Sequence, residues 1–169
     1  MSTRQFFKAE TLNENLGTTR SAATRTVFLS YRHIDRQWVN DVVRFLKGMG
    51  VSVYVDYLDQ TLEERTNEQV AGILRDRIRA CAKFISLATP NSSNSKWMPW
   101  ELGLGDRIIN YPNVAVLPLT VTVNHWPDQE YGRIYGRIEN NDNFFPKNDN
   151  WYVTFPDGRQ INFRTWVLN

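Results

Sequence analysis

The strongest constraint on this chain is an alternation of two periodicities. Four short apolar runs, rich in β-branched residues, cover Thr26 to Tyr31, Val51 to Asp56, Phe84 to Ala88 and Val114 to Leu119. Between them the apolar residues recur at helical spacing. Trp38, Val39, Val42, Val43 and Leu46 form the first such stretch, stopped by Gly48 and Gly50, and Val70, Ile73, Leu74, Ile78 and Cys81 form the second. A third helix is expected from near Ser95 to about Asn110, with Pro99 in its first turn, where a missing N–H is harmless. Asp35 is placed to cap the first helix, and Thr66 with Gln69 makes a capping-box pattern for the second. The order β-α-β-α-β-α-β implies a parallel sheet covered by helices on both faces. A length of 169 residues suits one domain of this kind and is too short for two ordinary ones.

The flanks are less regular. Residues 1–25 have no sustained period and read as a flexible arm, with Phe6 and Phe7 as its candidate anchor. Tyr57 to Arg65 reads as a surface loop, longer than most connections in α/β units. From about residue 121 a C-terminal extension of the domain is expected. Within it, Trp151 to Phe155 and Ile161 to Phe163 around Pro156-Asp157-Gly158 predict a hairpin, or a strand followed by a last turn of helix. The pair Tyr131-Gly-Arg-Ile and Tyr135-Gly-Arg-Ile is too short for a repeat architecture and is expected to form one helix face or an irregular crossing segment.

Several function classes are disfavoured. Twenty basic against eighteen acidic side chains leave a net charge of +2 and no basic run, so no nucleic-acid groove is expected. The single cysteine, Cys81, cannot form an internal disulfide and fits a reducing compartment. Residues 1–25 lack the apolar core of a signal peptide, and no apolar run approaches the ~18 residues needed to span a bilayer. A cytoplasmic protein without membrane partners is the expectation. His33, His125 and Cys81 match no zinc or iron spacing, so no metal is expected. No serine lies in a nucleophile elbow, and no glycine-rich phosphate loop follows the first strand. Gly103-Leu104-Gly105 falls inside a helix, where it would permit close packing.

In a parallel sheet, the loops after the strands' carboxyl ends share one edge, and ligands bind there. That edge gathers Tyr31, Arg32 and His33 after the first strand, Asp56 and Tyr57 after the second, and Thr89 to Asn91 after the third. The start of the third helix adds Ser95, Trp97 and Glu101. On that helix Trp97, Glu101, Leu104 and Ile108 share one stripe at i, i+4, i+7 and i+11. A carboxylate on an apolar stripe must reach a cleft or find a partner. The competing reading is an acid near a helix N-terminus that gains ~0.3–1 kcal/mol from the macrodipole and has no further role. Spacing alone leaves the two open, as it leaves Trp97 and Trp100 open between ligand contact and core. Arg32 is a candidate phosphate ligand or else an ordinary ion-pair partner.

Taken together, these segments resemble the TIR (Toll/interleukin-1 receptor) domain. Val27-Phe28-Leu29-Ser30-Tyr31-Arg32 is similar to the family's opening strand, Val53-Tyr54-Val55-Asp56 to its second, and Phe84-Ile85-Ser86-Leu87 with Pro90-Asn91 to its third strand and exit. Ser95-Lys96-Trp97-Met98-Pro99-Trp100-Glu101-Leu102 is similar to the Trp-x-x-x-Glu helix of TIR domains that cleave NAD+. The match covers about residues 26–120, and the whole chain further resembles stand-alone bacterial TIR proteins of anti-phage defence, of the Thoeris-like type.

The resemblance implies a flavodoxin-like TIR fold with a central parallel sheet of about five strands, the fifth drawn from the tail. It implies that Glu101 is the catalytic carboxylate and that Tyr31, Arg32, His33, Asp56 and Trp97 line a pocket for NAD+, which is substrate rather than cofactor. It also implies self-association through TIR surfaces, an assembly and gating role for the loop Tyr57 to Arg65, and a separate effector protein that responds to the product. One carboxylate suffices chemically. Nicotinamide leaves NAD+ as a neutral molecule from a cationic ring, so the general acid that O-glycosidases need is dispensable. An oriented carboxylate then stabilises the positive charge that builds on the ribose. Attack by water gives linear ADP-ribose, and attack from within the molecule gives a cyclic product. A non-catalytic TIR adaptor acting by homotypic association is the alternative, and a nucleotide-processing enzyme such as a deoxyribosyltransferase is a third reading.

Overall fold

A computed structural model of the chain describes residues 25–56, 67–119, 130–140 and 150–169. The arm with Phe6 and Phe7, the loop Tyr57 to Arg65, the Thr66 side of the capping box and His125 lie outside the described residues. The elements run β1 (Thr26–Ser30), α1 (Arg36–Gly48), β2 (Ser52–Tyr54), α2 (Asn67–Arg79), β3 (Lys83–Ala88), α3 (Trp97–Ile109), β4 (Val114–Pro118), β5 (Gly136–Asn140), β6 (Trp151–Thr154), β7 (Gln160–Asn162) and α4 (Phe163–Leu168). Among the described residues no helix is long and apolar enough to cross a membrane.

The strands form one seven-stranded sheet in the order β2-β1-β3-β4-β5-β6-β7. Its first five strands are parallel, as the flavodoxin-like reading requires, and β5-β6 and β6-β7 are antiparallel. The fifth parallel strand comes from the second Tyr-Gly-Arg-Ile copy, which corrects the expectation of a helix face there. Only the first copy is helical, a 3-10 turn over Glu130–Ile134. A strand wins over a helix because β4 presents an open parallel edge, and Ala115 and Val116 pair with Gly136 and Arg137. Both forms expected of the tail occur together. β6 and β7 make the hairpin, turned at Gly158 with φ of 86°, and α4 supplies the last turns.

Side chains alternate across the sheet and build two cores. Val27, Leu29, Ile85, Leu87, Ala115, Leu117 and Ile138 face the first, covered by Val39, Val42 and Leu46 of α1 and by Phe163 and Trp166 of α4. Phe28, Phe84, Val114 and Val116 face the second, covered by Leu74 and Ile78 of α2 and by Leu102 and Ile109 of α3. β1 has neighbours on either side, β2 and β3, each reached by its own crossover. The order in which strands are added therefore reverses at β1, with β2 on one side and β3 to β5 on the other, and this switch point between β1 and β3 opens a crevice at the strands' carboxyl ends.

Candidate functional site

α3 is set onto the second core by a glycine. A Cβ at Gly105 would lie 2.6 Å from Cδ2 of Phe84, so only a residue without a side chain lets the helix sit this close to β3. Gly103 meets nothing within 4 Å and has no such role. The contact line through Gly105 fixes which face of α3 is buried: Met98, Glu101, Leu102, Gly105 and Ile109. The stripe expected from spacing is thus rotated. Leu104 and Ile108 are half-buried, and Trp97 is 39% exposed, its ring edge-on to Trp100 at 5.5 Å. Glu101 stays on the inward side because it stands one turn from Gly105. It is 6% exposed.

The partner of Glu101 is a residue that motif reading passes over. Ser30 ends β1 two positions after Phe28, so its side chain points to the same face of the sheet as that core phenylalanine. Ser30 Oγ donates a hydrogen bond to Glu101 Oε2 at 2.5 Å. Strand parity was the available signal, since a serine in phase with the α3-side core must meet something polar. Burial pushes the Glu101 carboxyl from its ordinary value of 4.5 up to about 7. The Ser30 hydrogen bond acts against this rise, and the charge of Asp56 adds to it. Near neutral pH the group therefore exists in both protonation states.

A second polar cluster stitches the switch point shut on its other side. Asp35 occupies the N-cap position of α1, as expected, but its side chain makes no capping hydrogen bond. Instead the fully buried carboxylate accepts from Thr89 Oγ1 and from Asn91 Nδ2, each at 2.6 Å. A buried carboxylate is better served by two directed side-chain donors than by helix-end N–H groups shared with solvent. Arg32 Nη1 donates to the Asn91 carbonyl at 2.7 Å, and Ser92 Oγ to the Thr89 carbonyl at 2.7 Å. The exits of β1 and β3 are thereby tied together around Asp35, and Arg32 is held at the crevice by one guanidinium nitrogen.

The remaining candidates fall at the same edge. Tyr31 is buried and stacks on the ring of His33, with centroids 5.7 Å apart. His33 is 76% exposed in its side chain, and its Nε2 lies 3.2 Å from Asp56 Oδ2. Asp56 in turn is close enough to Glu101 for its charge to act there. Tyr31, Arg32, His33, Asp56 and Glu101 are thus gathered around the carboxyl ends of β1, β2 and β3. Trp97 stands on the outer side of the first turn of α3, one helical turn before Glu101. Among the described residues no three of His, Cys, Asp and Glu are grouped to hold a metal ion. The arrangement combines a desolvated carboxyl group with cationic and aromatic groups at its margin, suited to a ligand that carries both positive charge and phosphate.

A five-stranded parallel sheet with the 2-1-3-4-5 order, and polar groups converging on its switch point, defines a flavodoxin-like α/β protein with a ligand edge. The model of the TIR domain matches residues 27–149, and the chain belongs to that family. It is similar to a probable 3' cyclic ADP-D-ribose synthase, ThsB', of Bacillus cereus (strain MSX-D12). The two are 29% identical over 145 residues, which span 83% of this chain and 74% of that one. Among solved structures, a 2-deoxyribosyltransferase from Bacillus psychrosaccharolyticus matches with a TM-score of 0.47 and 15% identity, over 59% of this chain and 77% of that chain. A second, from Leishmania mexicana, matches with a TM-score of 0.43 and 20% identity, over 58% of this chain and 65% of that chain.

Proposed function

We propose that this protein is an NAD+-cleaving TIR enzyme that breaks the nicotinamide–ribose bond and forms a cyclic ADP-ribose signal. The observation that carries the reading is Glu101: a carboxyl group buried at the sheet's ligand edge, hydrogen-bonded to Ser30 and raised to about 7. A fold gains no stability from such a group, because removing a carboxylate from water is unfavourable and one hydrogen bond offsets it only in part. Strained electrostatics of this kind cluster where chemistry is done. The similarity to a protein named a probable cyclic ADP-D-ribose synthase supports the choice of substrate and of product.

In this mechanism the nicotinamide ring leaves as a neutral molecule and takes the electron pair of its bond to ribose. Positive charge develops on the ribose, and the Glu101 carboxylate stabilises it in a region shielded from water, where the attraction is weakly screened. The cationic substrate itself favours the ionised form of Glu101, since a nearby positive charge lowers a carboxyl pKa. Arg32 approaches the diphosphate, Tyr31 and Trp97 offer aromatic faces to the bases, and Asp56 with His33 borders the ribose side. NAD+ is the substrate, and no resident cofactor takes part. The protein acts in the cytoplasm of a bacterial cell during anti-phage defence. It works as a self-associated form and signals to a separate effector protein.

The decisive experiment incubates the purified protein with NAD+, with and without phage lysate, and resolves the products by chromatography. Loss of NAD+ that disappears in Glu101→Ala and yields a cyclic product is expected. Turnover persisting undiminished in Glu101→Ala would remove Glu101 from the chemistry. Homotypic assembly without NAD+ loss under any of these conditions would favour the adaptor reading.

A further inference from the structure

We propose that Ser30 is the positioning residue of the reaction: its hydroxyl, held rigid by the sheet, fixes the rotamer of the Glu101 carboxylate and favours its anionic form over the neutral acid. The inference rests on Glu101 being the reactive carboxylate and goes beyond it by naming what makes Glu101 competent.

The argument begins with rigidity. Ser30 is 2% exposed, lies within a parallel strand and is in register with Ser86 of β3, so its Cβ has no freedom to move. Glu101 has the opposite problem. A glutamate has three side-chain torsions, and one on a helix face can place its carboxylate in several ways. The 2.5 Å hydrogen bond from Ser30 Oγ to Oε2 ties the flexible group to the rigid one.

Ionisation is the second part. The groups that act on the carboxyl come from each element packed around it. From the end of β2, Asp56 contributes a like charge that favours the neutral acid, and it is itself paired with His33. From the loop after β1, Arg32 donates a hydrogen bond to the Asn91 carbonyl. From β3, Ser86 is neutral. Burial also favours the acid, so Ser30 is the one described group whose interaction favours the anion. A hydroxyl donating to a carboxylate stabilises the charged form, which is the form the ribosyl cation needs.

The test reads titration and turnover separately. Carboxyl carbons of 13C-glutamate-labelled protein are followed by NMR from pH 4 to 10, with Glu101→Gln used to assign the resonance. NAD+ cleavage is measured over the same range. In Ser30→Ala the Glu101 midpoint is expected to move up by about one to two pH units, the reach of one charge-assisted hydrogen bond. At pH 7 kcat/KM should fall roughly tenfold, and the deficit should shrink toward pH 9 as Glu101 of the free enzyme ionises. Ser30→Thr, which keeps the hydroxyl, should restore both. Should Ser30→Ala not fold, Ser30→Cys replaces it, keeping the shape with a weaker donor. An unmoved midpoint, or a loss of turnover equal at every pH, overturns the inference. A wild-type protein inert toward NAD+ would instead defeat the functional reading, while the titration still decides whether Ser30 governs Glu101.

Discussion

Replacing Glu101 with glutamine should change how stability depends on pH, by an amount the structure allows to be worked out. The carboxyl stands at about 7 in the folded protein against an ordinary value of 4.5. Between those values the folded chain binds more protons than the unfolded one, so the free energy of unfolding falls as pH rises. At ~1.4 kcal/mol per pH unit, the ionised form is disfavoured in the fold by about 3 kcal/mol, reached above pH 7 and level thereafter. Because Glu101 is almost wholly buried, solvent screening removes little of this. Glutamine keeps the shape and an oxygen that accepts from Ser30 Oγ, and it does not titrate. Urea unfolding of both proteins from pH 4 to 9 should show the wild type losing about 3 kcal/mol relative to Glu101→Gln between about pH 4.5 and 7. With a urea slope of about 2 kcal/mol per molar, the midpoints separate by more than about 1 M. Above pH 8 the variant, inactive on NAD+, should be the more stable protein. Stability curves that stay parallel across the range would refute the argument that Glu101 is held in the fold at an energetic disadvantage.

Other expectations follow from separate parts of the structure. Gly105→Ala places a methyl group 2.6 Å from the Phe84 ring and should cost roughly 1–3 kcal/mol, seen as a lower urea midpoint with an unchanged slope. Asp35→Ala leaves Thr89 and Asn91 without their acceptor in a buried cluster and should destabilise by roughly 3 kcal/mol, with Asp35→Asn recovering part of it by denaturation. In wild type, kcat/KM for NAD+ should rise with pH through the region near 7, following ionisation of free-enzyme Glu101; a flat profile from pH 5.5 to 8.5 would contradict it. Lys83 lies buried over the Trp166 ring at 4.7 Å and is lowered to about 8 by burial, then by the charge of Arg25. Here the unfolded chain binds more protons above pH 8, so the Lys83 contribution to stability should improve from about pH 8 toward 10.5, and Lys83→Met should abolish that rise.

The order of elements was legible because it is written in local periodicity. Period two at Val27-Phe28-Leu29 and period three-to-four at Val39, Val42 and Leu46 need no knowledge of what packs against them. The fifth strand was not legible. Tyr135-Gly-Arg-Ile carries no strand pattern of its own and becomes one where the edge of β4 offers it hydrogen bonds. Asp35 was read as a cap from its place before a helix, yet its carboxylate serves Thr89 and Asn91, more than fifty residues away in sequence.

Glu101 divides along the same line. Sequence alone determined that a glutamate sits in the first turns of a helix at the ligand edge of a parallel α/β sheet, because helix phase and strand order are properties of the chain itself. Whether that carboxyl faced water or a core, which hydroxyl it met, and where it titrates depended on a helix–sheet contact set by Gly105 and on the parity of Ser30 in a strand 71 residues away. Those are facts of tertiary packing. Desolvation and hydrogen bonding act through space over a few ångströms, and only the folded chain brings such groups that close.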